Sequence, residues 1–155
     1  EILRRVNEDL ADRNESCTFV TLIIGVLDTR TGEVVYANGG HNPPRLLGAD
    51  GAVSPVPVQT NMVVGAMAGR TFAREHLVLG PGEALFLYTD GVTEAMDEQE
   101  GFYGEARMDH WLSSMPPGVS AEALVRGIGA EVATFKGEQE QADDITVLAL
   151  RFRAP

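Results

Sequence analysis

Apolar residues near the start of the chain recur at helical spacing. Ile2, Val6 and Leu10 lie four apart with Leu3 beside them, which predicts an amphipathic helix over Glu1 to Arg13. No capping residue precedes Glu1, so this helix reads as entered from upstream. The period then changes. Thr18 to Leu27 is rich in β-branched and aromatic residues and predicts a buried strand. Asp28-Thr29-Arg30-Thr31-Gly32 is a turn, and Glu33 to Asn38 a second strand, so the two should form a hairpin. Gly39-Gly40-His41-Asn42-Pro43-Pro44 breaks regular structure, because its glycines permit unusual angles and its prolines remove ladder donors. Arg45 to Leu47 and Ala52 to Val53 flank another turn and predict a short second hairpin.

Pro55 to Gly69 has no clear period, but its Val63-Val64-Gly65 should tuck inward. Thr71 to Leu79 alternates as a strand. Ala84 to Thr89 is the apolar run expected of a central strand, ended abruptly by Asp90-Gly91. Met108, Trp111, Leu112 and Met115 mark a short helix, stopped by Pro116-Pro117-Gly118. Ser120 should cap a helix running to about Lys136, with Leu124, Ile128, Val132 and Phe135 on one face and Gly137 just past its end. Gly127 and Gly129 weaken that helix by roughly 1 kcal/mol each. Ile145 to Phe152 is the last strand. The order is that of an α+β protein with antiparallel strands and helices outside them. It lacks the regular strand–helix alternation of a parallel doubly wound sheet.

Composition narrows the function classes. A chain of 155 residues is one domain's worth of protein, or part of one. Apolar residues at 44% and charged residues at 23% argue against wholesale disorder, collagen and coiled coil. The formal charge is −11, which disfavours nucleic acid and anionic membrane surfaces as partners and favours a divalent cation. The same acidity also serves plain solubility. No stretch approaches the ~18 apolar residues of a membrane span, and no signal pattern opens the chain. A single cysteine, Cys17, excludes an internal disulfide framework and a cysteine-rich zinc site, consistent with the cytoplasm.

Candidate chemistry rests on carboxylates at strand ends. Asp90 closes an apolar strand, and Gly91 beside it lets a backbone or an ion come close. Taken alone, Asp90 reads more readily as a turn residue capping its own loop than as a ligand. Asp143 and Asp144 precede the last strand, where adjacent acids need a cation, amide donors or water. If these two strands are antiparallel neighbours, Asp90 and Asp143 fall at the same sheet edge. Such oxygen ligands suit magnesium or manganese rather than zinc or copper. His41 could ligate a metal, act as a general acid or fix its irregular loop; the loop-fixing role is favoured. His76 and His110 have no convergent partners. No nucleophile elbow surrounds Ser16, Cys17 or Ser113-Ser114, and no phosphate-binding glycine loop ends in Lys-Ser or Lys-Thr. Glu94 to Glu100 reads as a solvated acidic loop.

Read in order, several segments resemble the metal-dependent (PPM, protein phosphatase 2C-type) serine/threonine phosphatases, in their bacterial SpoIIE/RsbU-like branch. They are Phe19-Val20-Thr21-Leu22, Tyr36-Ala37-Asn38-Gly39-Gly40-His41-Asn42-Pro43-Pro44 and Leu87-Tyr88-Thr89-Asp90-Gly91-Val92-Thr93-Glu94-Ala95, then Gly101-Phe102-Tyr103-Gly104 and Ala142-Asp143-Asp144-Ile145-Thr146-Val147. Each is weak alone; their order and spacing are specific. The resemblance implies an antiparallel β-sandwich flanked by helices, with Mn2+ or Mg2+ ions at its centre and a metal-activated water attacking phosphorus. Carried over by position, Asp90 and Asp143 would be metal ligands, Gly91 would give close approach, and Asp144 would orient its loop. His41 and Asn42 would belong to a structural loop. No residue is assigned a direct catalytic role.

The resemblance also sets expectations about what is absent. The family's early Gly-Asp and Gly-His-Gly segments have no counterpart here, so residues 1–155 read as a single domain lacking its N-terminal part. Asn61-Met62-Val63-Val64-Gly65 departs from a usual Leu-Gly-type segment. Two function classes follow. One is an enzyme that dephosphorylates phosphoserine or phosphothreonine on a partner, of the STAS-type anti-sigma-factor antagonist class, behind an upstream sensor domain. This stretch alone would then have little activity. The other is a non-catalytic phosphatase-like binding module. Exposed sheet edges in either would admit a homodimer.

Overall fold

A computed structural model describes residues 1–12, 14–59, 62–141 and 143–153. Arg13, Asn61 and Ala142, expected in the first helix, in the segment that departs from the Leu-Gly type and in the last motif, lie outside the described residues. The chain divides into two compact units. The first comprises Glu1–His41 and Pro57–Leu79, the second Asn42–Val56 and Gly80–Pro155.

In the first unit, α1 spans Ile2–Ala11, β1 Leu22–Leu27, β2 Glu33–Gly39 and β5 Glu75–Val78. The strands form an antiparallel sheet in the order β1-β2-β5. The expected β1–β2 hairpin is present, with Leu27 opposite Val34 and Leu22 opposite Gly39. Its turn is set by Asp28, whose Oδ1 accepts from the Arg30 N–H at 2.9 Å. β1 begins later than its composition predicts. Before it, Val20 makes only an isolated antiparallel bridge to Val64, which is fully buried as expected.

The buried face of α1 differs from the apolar stripe. Leu3 and Asn7 are buried, whereas Ile2 and Leu10 are exposed. The cause is polar. The Asn7 side-chain amide donates to the Met67 carbonyl at 3.0 Å, and its oxygen accepts from the Gly65 N–H at 3.0 Å. Glu8 accepts from the Gly69 N–H at 2.9 Å. The helix thus supplies partners to a backbone segment that has no ladder of its own, and satisfying buried amides outweighs burying Ile2.

The second unit holds β3 (Arg45–Leu47), β4 (Val53–Pro55), β6 (Ala84–Tyr88), α2 (Asp90–Thr93), α3 (Gly104–Ser114), α4 (Ala121–Lys136) and β7 (Val147–Arg151). Its sheet is antiparallel in the order β4-β3-β6-β7, so β6 is central as its composition predicts. β6 alternates: Ala84, Phe86 and Tyr88 are buried in a core with Met108 and Leu112 of α3 and Leu124 of α4. Full burial of Phe86 contributes about 2 kcal/mol.

The Ser120 hydroxyl accepts from the Ala123 N–H at 3.1 Å, and Gly137 follows α4 with a φ of 59°. Leu124, Ile128 and Val132 are buried along α4. Gly127 has a packing reason: a methyl group there would lie 2.7 Å from the Trp111 ring of α3. Gly129 has nothing comparable near it.

Candidate metal centre

β6 and β7 are antiparallel, with Tyr88 opposite Val147 and Ala84 opposite Arg151. The residues just after β6 and just before β7 therefore share one end of the pair. Asp90 and Gly91 lie there on one strand's exit, Asp143 and Asp144 on the other's entry. A methyl group on Gly91 would lie 2.5 Å from the Asp144 carbonyl oxygen and 3.0 Å from that of Asp143. The two acidic turns thus touch through their backbones, and only a residue without Cβ permits it.

Each carboxylate is oriented by its neighbour. Asp90 Oδ1 accepts from the Gly91 N–H at 3.1 Å, and Asp143 Oδ1 accepts from the Asp144 N–H at 2.7 Å. Asp90, Asp143 and Asp144 are all exposed, so each carboxylate keeps lone pairs free for water or a cation. Gln141 holds the Gly91 carbonyl through its side-chain amide at 3.3 Å.

Beyond Asp90 the chain does not simply end its strand. It turns into α2, where the Asp90 carbonyl accepts from the Glu94 N–H at 2.7 Å. The sequence reading missed this turn of helix, because four residues carry too little period to register. The following acidic loop is ordered by Asp97, whose Oδ1 accepts from Gln99 and Gly101 N–H groups at 3.0 and 2.8 Å.

The residues present fit a hard divalent cation in kind. Two carboxylates, which are hard oxygen donors, stand beside a cradle from which Cβ is excluded. They do not fill a coordination shell. Among the described residues, no three His, Cys, Asp or Glu side chains converge to hold a metal.

A second polar cluster in the same unit carries no recognised motif. Arg45, 2% exposed, bonds Asp109 at 2.7 Å, Glu105 at 2.9 Å and the Pro43 carbonyl at 3.0 Å. Its guanidinium lies 5.6 Å from the Tyr88 ring centre. The Tyr88 hydroxyl donates to Glu105 at 2.9 Å. Burial, chiefly, pushes the Tyr88 phenol well above its ordinary range, against the opposing Arg45 charge. An arginine in a strand of three residues gives no sequence signal for this, since nothing marks its partners 60 or more positions away.

His41 lies in the first unit. Its N–H donates to Asn38 Oδ1 at 2.7 Å, and its carbonyl accepts from Asn38 Nδ2 at 2.8 Å. Its ring Nδ1 is 3.1 Å from the Thr21 hydroxyl. The buried Asn38 thus fixes the irregular loop through the His41 backbone, and the imidazole meets Thr21 beside it. Gly40 takes a φ of 77°, the conformation its sequence context predicts. Asn42 opens the second unit.

Comparison with known proteins accords with these features. The family model for Stage II sporulation protein E (SpoIIE) matches residues 1–153. The protein IcfG of Synechocystis is 32% identical over 150 residues; that stretch is 96% of this chain but only 23% of IcfG. The structure of the RsbU and RsbW domains of Rv1364c from Mycobacterium tuberculosis is 26% identical with a TM-score of 0.75, covering 96% of this chain and 40% of that one. The SiaA-PP2C domain of Pseudomonas aeruginosa has a TM-score of 0.79 at 22% identity, covering 97% of this chain and 59% of that one, and shows the same fold. The mixed helix and antiparallel-sheet architecture, the ordered motifs and the family match agree, and the chain belongs to the SpoIIE family of PP2C-type serine/threonine phosphatase domains.

Proposed function

We propose that the full-length protein is a metal-dependent protein phosphatase acting on phosphoserine or phosphothreonine of a partner protein in the cytoplasm. Asp90 and Asp143 would hold a Mg2+ or Mn2+ ion, with Gly91 and Asp144 shaping the space around it. The observation that carries this reading is the backbone contact of Gly91 with the Asp143 and Asp144 carbonyls, which joins two carboxylate-bearing turns distant in sequence. When bound, such an ion supplies an acidified water as nucleophile and positive charge for the phosphoryl oxygens. The chain's own residues do the rest. The Gly91 and Asp144 N–H groups each hold one oxygen of a carboxylate, of Asp90 and Asp143 respectively, which would leave the other oxygen of each for the ion. The remaining coordination positions fall to water and to groups other than these two side chains.

The partner we favour is a STAS-type antagonist of an anti-sigma factor. The supporting observation is that the Rv1364c relative joins RsbU and RsbW domains in one chain. The formal charge of −11 disfavours a polyanionic nucleic acid as the partner.

The test is phosphate release from a phosphorylated STAS protein by the full-length protein, in Mn2+ and in chelator. Release should require the metal, and Asp90→Asn and Asp143→Asn should each lower it at least as far as the roughly 10–100-fold that follows loss of an outer-shell partner. Unchanged rates in both variants would refute the assignment.

A further inference from the structure

Thr89 follows β6 in extended conformation, and its polar groups serve three different structures. Its N–H donates to the Thr146 carbonyl at 3.0 Å, continuing the β6–β7 ladder by one residue. Its carbonyl accepts from the Val92 N–H at 3.1 Å, opening α2. In an antiparallel ladder, the residue that donates to Thr146 would also receive the Thr146 N–H on its own carbonyl. Here the hydroxyl receives it instead: the Thr146 N–H lies 2.9 Å from Thr89 Oγ1. The same hydroxyl donates to the Asp144 carbonyl at 2.8 Å. One hydroxyl has both the acceptor and the donor these bonds need.

We propose that Thr89 is a positioning residue for the Asp90–Asp143 pair. Its hydroxyl replaces its carbonyl in the ladder, which frees the carbonyl to start α2 at Asp90. Through the Asp144 carbonyl it also holds the Asp143 turn against Gly91. Without the oxygen, the Thr146 N–H must either lose its partner or reclaim the Thr89 carbonyl. The second course unwinds the first turn of α2 and swings Asp90. The inference rests on the metal reading above and adds to it a residue that touches no ligand.

The experiment titrates Mn2+ alone into the full-length protein and its variants by calorimetry. Thermal melting in chelator and amide exchange at Val92 and Thr146 are read alongside. Thr89→Val keeps the shape and removes the oxygen; it should weaken Mn2+ binding about tenfold, the scale on which groups supporting metal ligands act. The Val92 or Thr146 amide should exchange faster, with the chelated melting temperature little changed. Thr89→Ser should bind within about threefold of wild type on the same scale. Wild-type affinity in Thr89→Val, alongside lost affinity in Asp90→Asn, would overturn the positioning role and leave the metal reading standing. Equal weakening in the Val and Ser variants, or a loss matched by a fall in chelated stability, would overturn it as well. Wild-type affinity in Asp90→Asn would remove the metal reading and the positioning role with it.

Discussion

Tyr103 is 2% exposed, and its hydroxyl has no hydrogen-bond partner among the described residues. Its ring is well used, meeting Phe135 edge to face at 5.3 Å. The oxygen is not. Burial, followed by the nearby Glu131 charge, pushes its pKa up to about 12. Removing a buried polar atom that lacks a partner recovers its desolvation cost, so Tyr103→Phe should leave stability unchanged or raise it by about 1 kcal/mol. A urea denaturation midpoint checks this; a loss of more than about 1 kcal/mol would show that the hydroxyl is satisfied in solution. Arg45 makes the opposite case. It is as buried as Tyr103, but each of its contacts is to an acceptor or a ring face, so its charge is compensated where it sits.

At the scale of elements, period and turn chemistry carried most of the fold. The β1–β2 and β3–β4 hairpins, the central place of β6 and the Ser120 cap of α4 follow from local residues alone. That Asp90 and Asp143 lie at the same end of one strand pair also followed, given antiparallel neighbours, which β6 and β7 are. What escaped has a common cause. Asn7 is buried because a distant loop needs its amide, Arg45 because Glu105 and Asp109 lie on a helix far along the chain, and α2 starts because a hydroxyl substitutes for a carbonyl. Each depends on a polar partner fixed only by the tertiary fold. Apolar period cannot report that. In β1 and β5 the error ran the other way: composition suited a longer strand, but ladder partners were available only from Leu22 and from Glu75.

At the scale of the whole molecule, all three tyrosines resist ionisation. Tyr36, Tyr88 and Tyr103 each have their phenol raised above its ordinary value, first by burial in every case. A raised folded-state value means that the native protein holds its protons more tightly than the unfolded chain. The resulting stability is fully present below pH of about 10, where unfolded tyrosine begins to ionise, and is lost as pH rises toward the native values. Alkaline titration followed by tyrosinate absorbance should therefore show little ionisation at pH 10 and a steep rise that coincides with loss of helical signal. Tyrosinate forming at about pH 10 without unfolding would contradict this.

The two acidic turns matter to function only if one ion touches both. Anomalous diffraction at the manganese edge, from crystals of the protein soaked in Mn2+, asks this directly. The account predicts a peak within coordination distance of both the Asp90 and Asp143 carboxylates; a peak on one of them alone, or on neither, would contradict it.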